Sequence, residues 1–229
     1  MQPERSRWSS TTLLVAMLLT ALAAATLTAL VIGNGEAPFG VDEHVQQFTS
    51  SWTEHTPGLL VALEAIAAAT GPIPAAATAL VVVVALIIAG RWRLSAFVAT
   101  SSLVGVALVE VVKVAVARPR PPGASVYVSD LDKSFPSGHA AVGIYMFVGF
   151  GVLLILAGRA DRARWLQLVG VAAFIFGVTL GLTRIILGVH WTTDVLAGWF
   201  YGSTALLLAT VWWRPDDVIL TQPEQADPV

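Results

Sequence analysis

Lys113, Arg120, His139, Arg184, His190 and Asp194 are the residues of this chain whose types and spacing could carry chemistry. They fall in three short stretches: Lys113 with Arg120-Pro121, then Pro136-Ser137-Gly138-His139, then Thr183-Arg184 followed by His190 and Asp194. Each stretch sits at the end of a strongly apolar segment. A charge near the bilayer centre costs about 2.5–3.5 kcal/mol on insertion scales, so charges kept at membrane depth usually have a function. Brought to one face of a helix bundle, the three stretches would make a site for an anion.

Lys113 and Arg120 are seven apart, two helical turns, and share a face while the helix holds. Prolines at 119 and 121 turn the chain out of the helix and bring Arg120 round above its end. The plainer reading is a Lys113 that snorkels, or pairs with Glu110 at i,i+3, beside a proline-stopped helix end. Pro136-Ser137-Gly138-His139 opens a helix, where unpaired N–H groups and the positive dipole end suit a phosphate-like anion. Alternatively Ser137 is only an N-cap and His139 an interfacial polar residue. His190 and Asp194 are i,i+4, so the carboxylate can reach the imidazole. Accepting the proton of one ring nitrogen, it fixes the tautomer and leaves the other free as nucleophile or base. The alternative is an Asp that favours a helix N-terminus, with His190 packed beside Trp191.

The elements that position these residues follow from composition. Of 229 residues 56% are hydrophobic and 12% charged, against about a quarter charged in soluble domains. The bilayer must solvate much of this chain. A net charge of −2 without a basic tail gives no reason to expect nucleic acid as a partner. With no cysteine, disulfides and thiolate metal sites are excluded.

Thr11–Ile32 is 22 residues without a charge, enough to cross ~30 Å of hydrocarbon at about 1.5 Å per residue. Arg5 and Arg7 precede it, as in a signal peptide. The run is long for a signal h-region, however, and passes into Gly33-Asn34-Gly35 without a clear cleavage region, which favours a retained helix. In the polar stretch 33–57, Phe48 and Trp52 four apart predict a short interfacial helix, and His44 and His55 belong to polar loop. Leu59–Thr70 reads as an interfacial or re-entrant piece, broken at Gly71-Pro72-Ile73-Pro74 from a second span of roughly Pro72–Ala89. Further spans are expected at Leu94–Ala117, His139–Ala157, Trp165–Leu182 and Val195–Trp213. The expected fold is an all-α integral membrane protein, a six-transmembrane-helix bundle with a short interfacial helix between spans 1 and 2. It forms one domain over 11–213, with a cytoplasmic N-terminus at 1–10 and a disordered cytoplasmic tail at 214–229.

With a cytoplasmic N-terminus, eight of the 13 Lys and Arg residues fall inside (Arg5, Arg7, Arg91, Arg93, Arg159, Arg162, Arg164, Arg214). Five fall outside (Lys113, Arg118, Arg120, Lys133, Arg184), the sign the positive-inside rule demands. Six spans place all three motif ends on the extracytoplasmic side. The plainer readings then need three unrelated coincidences on one membrane face.

At this point the chain resembles the type-2 phosphatidic-acid phosphatases, a superfamily shared with vanadium haloperoxidases, and in particular their membrane branch. The family pattern is Lys, six residues, Arg-Pro; then Pro-Ser-Gly-His; then Ser-Arg, five residues, His, three residues, Asp. Here it reads Lys113…Arg120-Pro121, Pro136-Ser137-Gly138-His139 and Thr183-Arg184…His190…Asp194. Spacing selects Arg120 over Arg118 for the family's arginine. Thr183 stands where the family usually has serine; it keeps the hydroxyl, but a phosphate contact from it is not assumed.

The resemblance implies that His190 attacks phosphorus to form a phosphohistidine, with Asp194 orienting the ring. His139 would protonate the leaving oxygen and then activate water. Lys113, Arg120, Arg184 and the Ser137/Gly138 region would bind the phosphoryl oxygens. It implies no metal and no cofactor. Zinc held by His139, His190 and Asp194 is the weaker alternative, since a dication fits poorly beside three side-chain cations. The expected substrate is a lipid phosphate whose tails stay in the bilayer, such as undecaprenyl diphosphate, phosphatidylglycerol phosphate or phosphatidic acid; a soluble phosphate ester is the alternative, and haloperoxidase activity is not expected. Two rivals remain: a lipid phosphotransferase using the same phosphohistidine, and a non-catalytic anion-binding or transport protein. Glu64 and Glu110, acidic groups in apolar runs, either pair with a cation or sit at an interface.

Overall fold

A computed structural model describes residues 8–124 and 133–220, leaving aside the side chains of 51 and 54. Arg5 and Arg7, and positions 221–229 of the expected tail, lie outside the described residues. What is described is all helix and turn, without strands. Ten α-helices run α1 Ser10–Gly33, α2 Gly40–His55, α3 Pro57–Ala69, α4 Pro72–Ile88, α5 Trp92–Ala115, α6 Gly138–Val142, α7 Gly149–Ala160, α8 Arg164–Ile186, α9 Thr192–Trp213 and α10 Pro215–Leu220. A π-helical turn, Gly143–Val148, joins α6 to α7 in one 23-residue rod.

Five rods are long and apolar enough to cross a membrane alone: α1, α5, α6–α7, α8 and α9. The bent pair α3–α4, at 51°, makes a sixth candidate span when its two halves are taken together; α4 by itself, the expected second span, is 17 residues long. Gly71 and Pro72 make that break, because Pro72 has no N–H to continue α3 and its ring excludes helical backbone before it. The all-α bundle is as expected, with five candidate spans, or six with the bent pair. The helix expected at the interface is also formed, and is longer than its Phe48–Trp52 core. Those two rings sit edge to face at 5.4 Å, with Phe48 exposed, and the helix begins at Gly40, where the Asp42 side chain accepts the Phe39 N–H at 3.0 Å.

α9 is the central post. α1 packs along it through Ala24, Val31, Ala197 and Tyr201, with Thr28 hydrogen-bonded to Tyr201 at 2.7 Å. On its other flank α5 meets it through Phe97, Val98 and Ala209. The α6–α7 rod and α8 approach by backbone. A Cβ on Gly143 would run into the carbonyl of Gly177, and one on Gly151 would lie 2.6 Å from the Gly170 oxygen. Lipid gives helices no hydrophobic drive to associate, so such close small-residue contact is what holds this pair.

Helix limits differ from the sequence reading where it matters. α8 runs on to Ile186, so Thr183 and Arg184 lie within it. α9 starts at Thr192, which puts Asp194 in its first turn and leaves His190 in the preceding turn, beyond Gly188 with φ 74°. His190 and Asp194 therefore meet across a helix cap, not along one helix face.

The tail from 214 was expected to be disordered, and residues Pro215–Leu220 correct this: they form α10. Pro215 supplies a preset helical φ at the start. Asp216 is fully buried, takes the Trp8 N–H at 3.1 Å and pairs with Arg214 at 3.0 Å, and Ile219 packs on Leu94 and Leu156. Arg214 also donates to the Trp8 carbonyl at 2.7 Å and to Ser10 at 2.8 Å. The two ends of the described chain thus meet at one end of the bundle. The 22 residues of α9 put the residues of the three motifs about 33 Å away, at the other end.

Candidate active site

The start of α9 fixes the centre. Trp191 is the N-cap with extended backbone, and Asp194 Oδ2 accepts its N–H at 2.9 Å, satisfying one of the orphan donors of the first turn. The same oxygen lies 3.5 Å from His190 Nδ1. That is an ion-pair separation without a hydrogen bond, and the buried Nδ1 has no hydrogen-bond partner among the described residues; catalytic pairs are often this loose before substrate tightens them. Arg120 Nη1 lies 3.2 Å from His190 Nε2 and donates to the Val189 carbonyl at 2.6 Å. A guanidinium can only donate, so Nε2 carries the lone pair and the ring proton sits on Nδ1, facing Asp194. Burial, followed by the charges of Arg120, Arg184, Lys113 and His139, holds the His190 pKa well below its ordinary 6.5. The ring is therefore neutral near pH 7, with its basic nitrogen turned toward the cations.

The start of α6 supplies the second histidine. Ser137 caps it, its hydroxyl accepting the Ala140 N–H at 3.4 Å, and its own N–H donates to the Asp194 carbonyl at 3.0 Å. That main-chain bond ties the start of α6 to the start of α9. Gly198 permits the approach, since a Cβ there would collide with the Ser137 carbonyl. His139 Nε2 lies 3.1 Å from the Ala67 carbonyl at the end of α3; a carbonyl only accepts, so this nitrogen holds a proton.

Both histidines line a cavity of ≈ 1070 Å³. Lys113, Arg120, Gly138 and Arg184 share its polar end. From there it runs between α4 and α5 past Ala76, Leu80, Val106 and Leu103 to Val83 and Ala99. Lys113 to Ala99 is 14 residues of α5, about 21 Å of apolar slot. Glu64 and Glu110 line the wall as well.

Six of the eight site residues expected from the sequence thus reach one cavity: Lys113, Arg120, Gly138, His139, Arg184 and His190. Ser137 and Asp194 stand behind it, fully buried, Ser137 as cap and Asp194 as partner of His190. Thr183 spends its hydroxyl on the Leu180 carbonyl at 2.7 Å, within its own helix. The sequence reading missed Arg118, which the structure places against Asp194, and Asp42, which pairs with Arg118 from its other side. Asp42 stands 151 positions from Thr193, its neighbour in space, and no local pattern announces such a pairing.

A multi-pass helical bundle with a buried His–Asp pair at the cationic end of a cavity defines a class of membrane protein equipped to hold an anionic group. The chain belongs to the PAP2 superfamily, whose pattern matches residues 92–217. It is 32% identical over 108 residues to an undecaprenyl-diphosphatase of Sulfolobus acidocaldarius, a match covering 45% of this chain and 47% of that one, so it spans about half the relative's length. Its fold is that of the transmembrane PAP2 type phosphatidylglycerolphosphate phosphatase from Bacillus subtilis, with a TM-score of 0.64 and 21% identity over 85% of this chain and 94% of that one.

Proposed function

We propose that this protein is an integral-membrane lipid phosphatase that cleaves a phosphate monoester or diphosphate head group through a phosphohistidine on His190. The observation that carries the reading is the setting of His190, with Nδ1 3.5 Å from Asp194 Oδ2 and Nε2 3.2 Å from Arg120 at the cationic end of the cavity, a geometry that favours a neutral ring protonated on Nδ1. In the first step Nε2 bonds to phosphorus as the ester oxygen leaves, and His139, doubly protonated for this step with its Nε2–H held by the Ala67 carbonyl, gives that oxygen the proton of Nδ1. Arg120 shifts from Nε2 to the phosphoryl oxygens, which Lys113 and Arg184 also bind, while the Gly138 end of α6 offers backbone N–H groups. In the second step His139 takes a proton from water, the water oxygen bonds to phosphorus, the P–N bond breaks and phosphate leaves. Asp194 stabilises the imidazolium between the steps.

The apolar slot between α4 and α5 suits tails that remain in the bilayer, which favours a lipid over a soluble ester. The two relatives act, by name, on undecaprenyl diphosphate and phosphatidylglycerol phosphate, and both head groups, with phosphatidic acid, are candidates here. The distribution of Lys and Arg supports an extracytoplasmic site with both termini cytoplasmic. Three cations already neutralise the phosphoryl group, so the reaction needs no divalent ion.

Purified protein tested on a panel of lipid phosphates and one soluble phosphate ester, with and without chelator, addresses the whole reading. Release of inorganic phosphate from at least one lipid, undiminished by chelator, is the expected result. Loss of release with chelator would contradict the metal-free route, and turnover confined to the soluble ester would contradict the lipid assignment. Label passing to an acceptor lipid would mark a phosphotransferase.

A further inference from the structure

Arg118 is fully buried, and each of its five N–H donors has an acceptor. Nη1 donates to Asp194 Oδ1 at 2.6 Å and Thr193 Oγ1 at 2.7 Å; Nη2 donates to Asp42 Oδ2 at 2.8 Å and the Ala37 carbonyl at 3.1 Å; Nε donates to the Glu36 carbonyl at 3.3 Å. Nothing is left with which to bind a phosphate, and Arg118 does not line the cavity. Asp42 mirrors Asp194. Each is the third residue of its helix, each accepts the N–H of its own N-cap, and the guanidinium lies between them. Asp42 Oδ1 also accepts the Thr193 N–H at 2.9 Å, joining the start of α2 to the start of α9.

We propose that Arg118 and Asp42 are positioning residues of the reaction, holding Asp194 in the orientation and charge that His190 needs. The inference rests on the phosphohistidine reading above. Two carboxylates and one guanidinium carry a net charge of −1, set directly behind a ring that becomes +1 when Nε2 is phosphorylated. Asp194 Oδ1 is occupied by Arg118 and Oδ2 by the Trp191 N–H, so the carboxylate cannot rotate away from Nδ1 without breaking a bond. Removal of Arg118 leaves two buried carboxylates uncompensated, and they must separate or take up a proton. Either change withdraws Asp194 from His190. The role also explains why a small interfacial helix is clasped to the catalytic end of the bundle: α2 brings Asp42.

The test uses the full-length protein in detergent, with phosphate release from a lipid phosphate measured as kcat and KM. Active-site concentration comes from the burst amplitude, so misfolded protein does not count. Arg118→Met is expected to lower kcat about 100-fold with KM within about twofold, the signature of misplacement behind the reacting group. Arg118→Lys, keeping the charge but not the fork, is expected to recover about a tenth of wild-type kcat, and Asp42→Asn to lose about tenfold. A properly folded Arg118→Met with wild-type kcat per active site overturns the proposal. So does a rise in KM with unchanged kcat, which would make Arg118 a substrate contact. If Arg118→Met does not fold, Asp42→Asn decides: unchanged kcat overturns the proposal. His190→Ala is run alongside. Retained activity there would sink the phosphohistidine reading itself, whereas a dead His190→Ala beside a fully active Arg118→Met sinks only the role of Arg118.

Discussion

His190→Ala is expected to yield a folded protein whose phosphate release is lower by at least about 10⁴-fold, the scale seen when a covalent nucleophile is deleted. His139 carries the proton transfer and, unlike His190, has no aspartate beside it among the described residues, while Lys113, Arg120 and Arg184 are cations that bind oxygen without attacking phosphorus. The fold should survive, because the bonds that fix the start of α9 pass through Asp194, Trp191 and Ser137. Elution in detergent as one symmetric peak, with binding of the lipid substrate retained, checks that the loss is chemical. Activity above about a tenth of wild type would be incompatible with a nucleophilic His190.

Arg120→Ala is expected to lower kcat/KM about 10³-fold and, unlike Arg118→Met, to raise KM as well as lower kcat. Arg120 lies on the cavity wall 3.2 Å from Nε2, so it both meets substrate and shapes the nucleophile. The pH profile separates the two roles. His190 must be neutral to attack, and its pKa is held well below the ordinary 6.5 by burial first and by the charge of Arg120 next. The wild-type acid limb governed by this group therefore lies well below pH 6.5, with activity lost as the pH falls through it. Without Arg120 one repulsive cation is gone, the pKa rises toward 6.5, and the acid limb moves to higher pH. Asp194 on the opposite side continues to favour the protonated ring, so only the cation side of the balance changes. An acid limb that stays in place in Arg120→Ala would show that the guanidinium does not set the charge state of His190.

The residues that could do chemistry were legible because each motif is local and lies at a helix end. A proline stop, a capped helix start and a His–Asp spacing are short-range patterns, and the up-and-down alternation of α5, α6–α7, α8 and α9 carries their ends to one side. Spacing also separated Arg120 from Arg118, and Arg120 is the one of the two on the cavity wall. It said nothing about where Arg118 goes. Its partners come from Asp42, Asp194 and the carbonyls after α1, separations of 76 to 82 residues that only the folded bundle brings together. The helix after Trp213 was missed for a similar reason. Its polar, acidic composition reads as disorder until Trp8 and Arg214 are seen to satisfy Asp216. Glu64 and Glu110 likewise acquire a place only once α3, α4 and α5 form the cavity wall.

The central claim is a covalent bond between phosphorus and His190 Nε2. Lipid phosphate labelled in its terminal phosphorus, mixed with the protein and quenched in alkali within one turnover, tests it directly. The account predicts label bound to the protein, stable to alkali and released by acid, on the peptide containing His190, and absent from His190→Ala. Single-turnover phosphate release with no labelled protein at any quench time, or label mapped to another residue, would contradict it.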